Sequence, residues 1–156
     1  MASRLYDELK QTRPFASLEE EVYLSLQRTA EVLWGDVNET LKGAELTPTQ
    51  YNVLRILRGA GADGISCSEV SERLVTKDSD ITRLLDRLET RGLISRERAE
   101  KDRRVVVARL TAEGLRLLAS LDKPVVQCHG RHLGHLGERR LASLLKLLDA
   151  ARERPE

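Results

Sequence analysis

The order of local patterns between residues 65 and 110 limits the folds open to this chain more than any other feature. Ser66 and Glu69 form a capping box that opens a short helix, and the helical pattern after it ends at Gly92, a residue suited to a left-handed cap. Two β-type runs follow at residues 93–98 and 104–110, with a charged turn between them. The chain therefore contains a helix, a short turn, a second helix and a β-hairpin, in that order.

Helical patterns also precede this segment. Apolar residues recur every three or four positions over residues 17–42, which predicts one long amphipathic helix. Thr47 and Gln50, with a proline between them, are typical of a helix start, and the mostly apolar residues 48–58 predict a helix buried in the core. Ile65, after a glycine-rich loop, can form a short strand.

Two further helices follow the hairpin. Thr111 can cap the first, which Pro124 should bend because proline lacks the N–H of the helical hydrogen bond. The last helix covers about residues 138–152. The whole pattern predicts a mainly α fold with a small β-hairpin wing. This is a winged helix-turn-helix, in which the second paired helix enters the DNA major groove.

The same segment resembles the MarR family of bacterial transcriptional regulators. The similarity rests on residues 80–94 (DITRLLDRLETRGLI), on residues 102–111 (DRRVVVARLT) and on Gly114. It implies a homodimer that binds palindromic operator DNA, usually as a repressor, and that is often released when a small molecule binds. The implied division is a DNA-binding domain at 47–112 and a dimerisation region formed by 1–46 and 113–156.

The second paired helix, the recognition helix, turns its apolar residues inward. Its other face then presents Ser79, Thr82, Arg83 and Asp86. Arg83 is the leading candidate for reading a base, because a guanidinium can hold guanine O6 and N7 with two hydrogen bonds. Arg87, one turn further on, is expected to meet a phosphate or a carboxylate of the wing.

Acidic residues on this helix oppose the assignment. Asp78, Asp80 and Asp86 would repel phosphate unless nearby bases pair with them. A merely solvated, charged helix face is the alternative.

The turn of the hairpin carries Asp102, Arg103 and Arg104. An arginine there can reach into a narrow minor groove, where the negative potential is strongest. In the resembled family this Asp and the second Arg recur together. The resemblance thus implies that Arg104 enters the groove while Asp102 orients it or caps a neighbouring arginine. Lys101 and Arg103 are expected to add nonspecific attraction to phosphate.

The helix start at Ser66 has two open interpretations. Ser66 and Ser68 can cap the helix only, or they can also contact the DNA backbone. Cys67 lies in the first turn, where the positive end of the helix dipole can lower the pKa of a thiol, but a small packed residue is the favoured interpretation.

The charge distribution supports a polyanionic partner. The net charge is only +1, yet residues 16–46 sum to −5 and residues 91–109 sum to +4. No aromatic residue lies in the basic stretch, which disfavours single-strand recognition by base stacking. Duplex DNA is therefore the expected partner.

Several other classes are disfavoured by the sequence. The 156 residues suit one domain with helical extensions, and 40% hydrophobic residues suffice for a core. No apolar run is long enough to span a bilayer and the start lacks a signal-peptide core, so a cytoplasmic protein is expected. The two cysteines lack the spacing of a disulfide framework or a zinc site, and no catalytic motif is present, so no enzyme is expected.

Two motifs invite a cofactor and are set aside. Residues 59–64 match GxGxxG, but they follow a helix instead of a strand, contrary to a dinucleotide site. Cys128, His129, His132 and His135 have helical spacing for a metal, but glycines interrupt the segment. Neither a cofactor nor a metal is expected.

The effector and its site are not identified by the sequence. The family resemblance alone suggests a ligand cleft between the dimer body and the DNA-binding lobe. Tyr23, Trp34 and Tyr51 are possible apolar lining for it. A winged-helix module for protein contacts, or for nonspecific DNA association, is the alternative function.

Overall fold

The structure is a computed structural model that describes residues 4–77 and 80–153. The chain forms two compact units, residues 1–36 and residues 37–156. None of the helices in the described ranges is long and apolar enough to cross a membrane. The division into 1–46, 47–112 and 113–156 stays a prediction.

The first unit contains helix α1 (Arg4–Glu8) and most of helix α2 (Leu18–Leu41). The long helix expected over residues 17–42 is confirmed, whereas no bounds were predicted for α1. Ser17 caps α2, since its Oγ accepts from Glu20 N at 3.2 Å and the Glu20 carboxylate accepts from Ala16 N at 2.6 Å.

The second unit contains the winged helix-turn-helix, which is confirmed. Its helices are α3 (Pro48–Ala60), α4 (Cys67–Arg73), α5 (Ile81–Thr90), α6 (Ala112–Leu133) and α7 (Gly137–Arg152). Its strands are β1 (Ile65–Ser66), β2 (Ile94–Arg98) and β3 (Val106–Leu110), and 3-10 turns lie at Lys42–Ala44 and Gly134–Leu136. Pro124 lies inside α6, which continues beyond it to Leu133.

The wing is a three-stranded antiparallel sheet, where the sequence analysis expected a two-stranded hairpin. The strand order is β1-β3-β2, with Ile65 opposite Ala108 and Ile94 opposite Leu110. β1 is too short to stand alone and is held by pairing with β3, a long-range contact without a local signal. The hairpin turn is also longer than expected, since β3 begins at Val106 and not at Arg104. Within the turn, Val105 N donates to Asp102 O at 3.0 Å.

Capping signals placed the helix ends correctly. Thr47 and Gln50 form the expected capping box of α3, and Ser66 and Glu69 form that of α4. Gly92 has φ of +70°, and its N–H donates to Glu89 O at 2.8 Å. The recognition helix α5 therefore stops where the sequence predicted.

The core of the second unit forms around α3, which packs against α4, α6 and β3. Leu54 and Leu57 of α3 are fully buried, and so is Leu118 of α6. The prediction of a core helix over residues 48–58 is confirmed. A charged residue of α3 also contacts α6: Arg58 forms a bidentate pair with Asp122 at 2.8 and 2.9 Å.

The first turn of α6 packs closely on the sheet. A Cβ on Gly114 would lie 2.2 Å from Leu93 O and 2.7 Å from Leu110 Cδ1. Thr111, the N-cap, also donates through Oγ1 to Gly92 O at 2.6 Å. Only glycine allows this approach of helix to strand.

Gly114→Ala should lower the free energy of unfolding by about 1–3 kcal/mol, because the added methyl group meets backbone atoms. Gly59→Ala is the matched control: its Cβ meets nothing within 4 Å, so a gain of up to about 1 kcal/mol in helix propensity is expected. Both are measured by urea unfolding at one protein concentration. Equal stability of the two variants would contradict the close approach.

Asp122→Asn should reduce stability by about 0.5–1 kcal/mol at pH 7, a value kept small because the pair is partly exposed. The hydrogen bonds from Arg58 lower the pKa of Asp122 below its ordinary value. The contribution of the pair is therefore complete well above the ordinary Asp pKa of 3.8 and is lost as the pH falls through the lowered pKa. Urea unfolding from pH 7 to pH 2 should show the two curves converging in acid.

Asp63→Asn, in an exposed loop, is the control and should change stability by less than about 0.5 kcal/mol. A difference between wild type and Asp122→Asn that persists at the lowest pH would contradict the role of the ion pair.

Candidate nucleic-acid interface

The recognition helix α5 has a buried side and an exposed side. Leu84, Leu85 and Leu88 are buried in the core. Thr82, Arg83, Asp86 and Arg87 are exposed. The orientation inferred from the leucine spacing is thus confirmed for the residues described, while Ser79 and Asp78 lie outside them.

Arg83 stands at the start of α5, where it contacts Asp80 of its own turn. Asp80, the N-cap, accepts from Arg83 N at 3.2 Å, and its carboxylate lies 3.3 Å from Arg83 Nε. The Arg83 side chain is nevertheless 72% exposed. An exposed ion pair of this kind is weak, so the guanidinium can leave it for a stronger acceptor.

Arg96 of β2 neutralises the acidic residues further along α5. Its guanidinium contacts Asp86 and bonds Glu89 Oε2 from Nη2 at 2.7 Å and from Nε at 3.1 Å. These bonds, led by that to Glu89, raise the pKa of Arg96. The expected repulsion of phosphate by Asp86 is therefore offset within the protein.

The sequence analysis counted Arg96 only as one base in a positive stretch. Arg96 lies seven residues from Glu89 and ten from Asp86, and Gly92 reverses the chain between them. No helix or strand spacing indicates such a contact. The alternation of β2 does place Arg96 on the same face as the buried Ile94. This signal indicates that Arg96 faces the protein, but it does not identify its partners.

At the tip of the wing, Asp102 and Arg104 bind each other. Asp102 Oδ1 accepts from Arg104 N at 3.0 Å and from Arg104 Nε at 3.2 Å. These bonds, the side-chain ones first, lower the pKa of Asp102. The Arg104 side chain remains 92% exposed. Arg103 is also exposed, and its carbonyl accepts from Arg98 Nη1 at 3.3 Å.

The serines at the start of α4 have clear structural roles. Ser66 Oγ accepts from Glu69 N at 3.2 Å, which confirms the cap. Ser68 is exposed, and its Oγ lies 3.0 Å from that of Ser66. A contact of either serine with a DNA backbone stays a prediction.

A crevice of about 500 Å³ lies between α4, α5 and the sheet, with Cys67, Thr82 and Arg96 in its lining. Burial is the largest influence on Cys67 and raises the pKa of its thiol, although the charge of Arg96 acts in the opposite direction. The alternative of a thiol with a lowered pKa is thus not supported. Cys67 is a half-buried packed residue, the favoured interpretation.

The remaining candidates are the possible metal ligands, the glycine-rich segment and three aromatic residues. Within residues 4–77 and 80–153, no group of three or more His, Cys, Asp or Glu side chains is placed to hold a metal ion. Gly59 belongs to α3, and the rest of the GxGxxG segment leads into β1, so the sequence does not run from strand to helix. Tyr51 is buried in the core of the second unit, whereas Tyr23 and Trp34 belong to the first.

Comparison with known proteins identifies the family. The sequence profile of the MarR family matches residues 46–106. The repressor MdtR of Bacillus subtilis (strain 168) is 37% identical over 94 residues, which are 60% of this chain and 59% of MdtR. The chain thus spans about three fifths of the length of this curated relative.

Two solved structures are similar over nearly their whole length. A MarR transcription factor from Planctomyces limnophilus is 43% identical, with a TM-score of 0.68, and the match covers 88% of this chain and 99% of that one. CouR, a repressor bound to a 23-mer DNA duplex, is 28% identical, with a TM-score of 0.79 over 92% of this chain and all of that one. CouR from Rhodococcus jostii RHA1 has also been solved with p-coumaroyl-CoA.

These relatives are transcriptional regulators and not enzymes. The residues matched by the family profile, 46–106, include the paired helices and most of the wing. The chain is therefore a member of the MarR family of DNA-binding transcriptional regulators.

Proposed function

We propose that this protein is a homodimeric repressor that binds a palindromic operator and is released by a small-molecule effector. The observation that carries the proposal is the two-sided recognition helix. Its leucines are buried, so Thr82, Arg83 and Arg87 stand on the surface of a rigid element. A helix presented in this way fits the major groove of duplex DNA.

Arg83 is the proposed base reader. Its exposed guanidinium has the two parallel N–H groups that match guanine O6 and N7, and Thr82 beside it can contact a base edge. Arg87 lies one turn further on and contacts phosphate. Ser79, outside the described residues, keeps its place as a proposed DNA contact.

The wing contributes a second contact. Arg104 is almost fully exposed and is oriented by Asp102, so it can enter a narrow minor groove without reorganising the turn. Arg103 and Lys101 add attraction to phosphate, and Ser66 and Ser68 lie at a helix start, where backbone N–H groups can donate hydrogen bonds to an anion.

Exposed apolar side chains on two helices support a homodimer. None of the residues of α7 is buried within the chain, and its apolar residues Leu145 and Leu147 are more than 60% exposed. In the first unit Leu18 and Tyr23 of α2 are similarly exposed. Exposed apolar surface of this extent is typical of a protein interface. Two copies would present two recognition helices to half-sites about 34 Å apart.

Repression and effector release are proposed from the relatives. MdtR and CouR are repressors, and CouR binds p-coumaroyl-CoA. An aromatic or lipophilic effector is therefore the class proposed here. We assign no residue to its site. A regulator that binds chromosomal DNA acts in the bacterial cytoplasm, so we propose a cytoplasmic location for this protein.

Selection from a random DNA duplex pool tests the function directly. The wild-type protein should enrich an inverted repeat, because two symmetric recognition helices read two half-sites. Arg83→Ala should lose about 1–3 kcal/mol of discrimination at one base pair of each half-site. Arg104→Ala should bind more weakly and lower the slope of log affinity against log salt by about 1.

Arg116→Ala is the matched control, since it removes an equal charge from an exposed arginine of α6 that pairs with Glu113 of its own helix. It should enrich the same repeat as wild type. If the protein binds duplex DNA without enriching a sequence, and the affinity falls steeply with salt, it is a nonspecific DNA-associated module. If it does not bind duplex DNA at all, it is a protein-contact module.

Effector release is tested with the selected operator and a panel of phenolic, lipophilic and aromatic acyl-CoA compounds. At least one should weaken operator binding by about 5- to 150-fold, the usual range of coupling between two sites. Fluorescence anisotropy at fixed salt measures the change. A panel without any effect would remove the effector from the proposal and leave DNA binding intact.

A further inference from the structure

We propose that Arg96 is a positioning residue for DNA recognition, which offsets one of the two negative charges of Asp86 and Glu89 so that the exposed face of α5 can approach the phosphates. The inference rests on the proposed function, because it concerns how α5 meets DNA. It assigns Arg96 a role that differs from those of the exposed arginines. Arg96 prepares the recognition helix and does not itself contact DNA.

The position of Arg96 separates it from the DNA-contacting arginines. Its side chain is only 19% exposed, against 72% for Arg83 and 92% for Arg104. Its guanidinium is engaged by two carboxylates at once, those of Asp86 and Glu89. A guanidinium engaged in this way has little left to offer a phosphate.

Both the side chain and the backbone N–H of Arg96 bind the Glu89 carboxylate. Arg96 N donates to Glu89 Oε1 at 2.9 Å, while the guanidinium binds Oε2. Both carboxylate oxygens are therefore directed toward the sheet. The planar fork of arginine suits this arrangement, and the single ammonium of lysine does not.

Asp86 is the residue whose charge matters most for DNA. It is 54% exposed and follows Thr82 by four residues and Arg83 by three, so it neighbours both on the helix surface. An unpaired carboxylate at this place would face the same DNA backbone as the base-reading side chains. Arg96 reduces the charge of the Asp86–Glu89–Arg96 cluster from −2 to −1.

The test uses the full-length protein and the operator selected with wild type. Arg96→Gln should lower operator affinity by at least tenfold. The triple variant Arg96→Gln, Asp86→Asn, Glu89→Gln should return it to within threefold of wild type, because no charge remains to be neutralised. Anisotropy at two salt concentrations gives both the affinities and the salt slopes, and circular dichroism confirms folding.

Arg109→Gln is the matched control. Arg109 lies on β3 of the same sheet and pairs with Glu97 of β2 at 3.1 Å instead of with the acids of α5, so its loss should change affinity by less than threefold. The double variant Asp86→Asn, Glu89→Gln adds a test that keeps Arg96. It should bind at least as tightly as wild type, because the cluster becomes positive.

The outcomes separate this inference from the proposed function. If wild type selects an operator but Arg96→Gln binds within threefold of it, the role of Arg96 is overturned alone. A triple variant as weak as Arg96→Gln would make Arg96 a direct DNA contact or a purely structural residue. A double variant more than threefold weaker than wild type would also overturn it. Absence of specific binding by wild type would overturn both proposals.

Discussion

The interface depends on the burial of three leucines of one short helix. Leu84, Leu85 and Leu88 join the core formed around α3, and removing any of them from the core would cost more than any surface contact of α5 contributes. Because they face inward, the remaining sides of the helix must face outward. The direction in which Arg83 and Arg87 point is therefore set by hydrophobic packing and not by their own interactions.

Electrostatics then adjust a surface that packing has already oriented. The acids of α5 do not stand unpaired toward solvent, since Asp80 caps the helix beside Arg83 and Asp86 lies on Arg96. At the wing tip Asp102 holds Arg104 in the same manner. In each case a carboxylate fixes a guanidinium at modest cost, and the exposed pairs leave the arginine available to a phosphate or a base. Arg96, whose side chain is only 19% exposed and which contacts two carboxylates, is not available in this way.

Local signals were sufficient for most of the helices. The capping boxes at Thr47 and Ser66 and the left-handed Gly92 each involve residues within one turn of the backbone, so they can be read from neighbours in the sequence. The pairing of β1 with β3 joins residues more than forty positions apart and has no such signal. The close approach of Gly114 to Leu93 also has no signal among neighbouring residues.

The sequence by itself determined the order of the elements, their capping and the side of α5 that faces outward, because periodicity and caps are properties of adjacent residues. Only the tertiary structure decided that Arg96 binds the acids of the recognition helix, and that burial raises the pKa of the Cys67 thiol. Both depend on desolvation and on contacts across the chain reversal at Gly92. Such quantities exist only once separate elements have packed together.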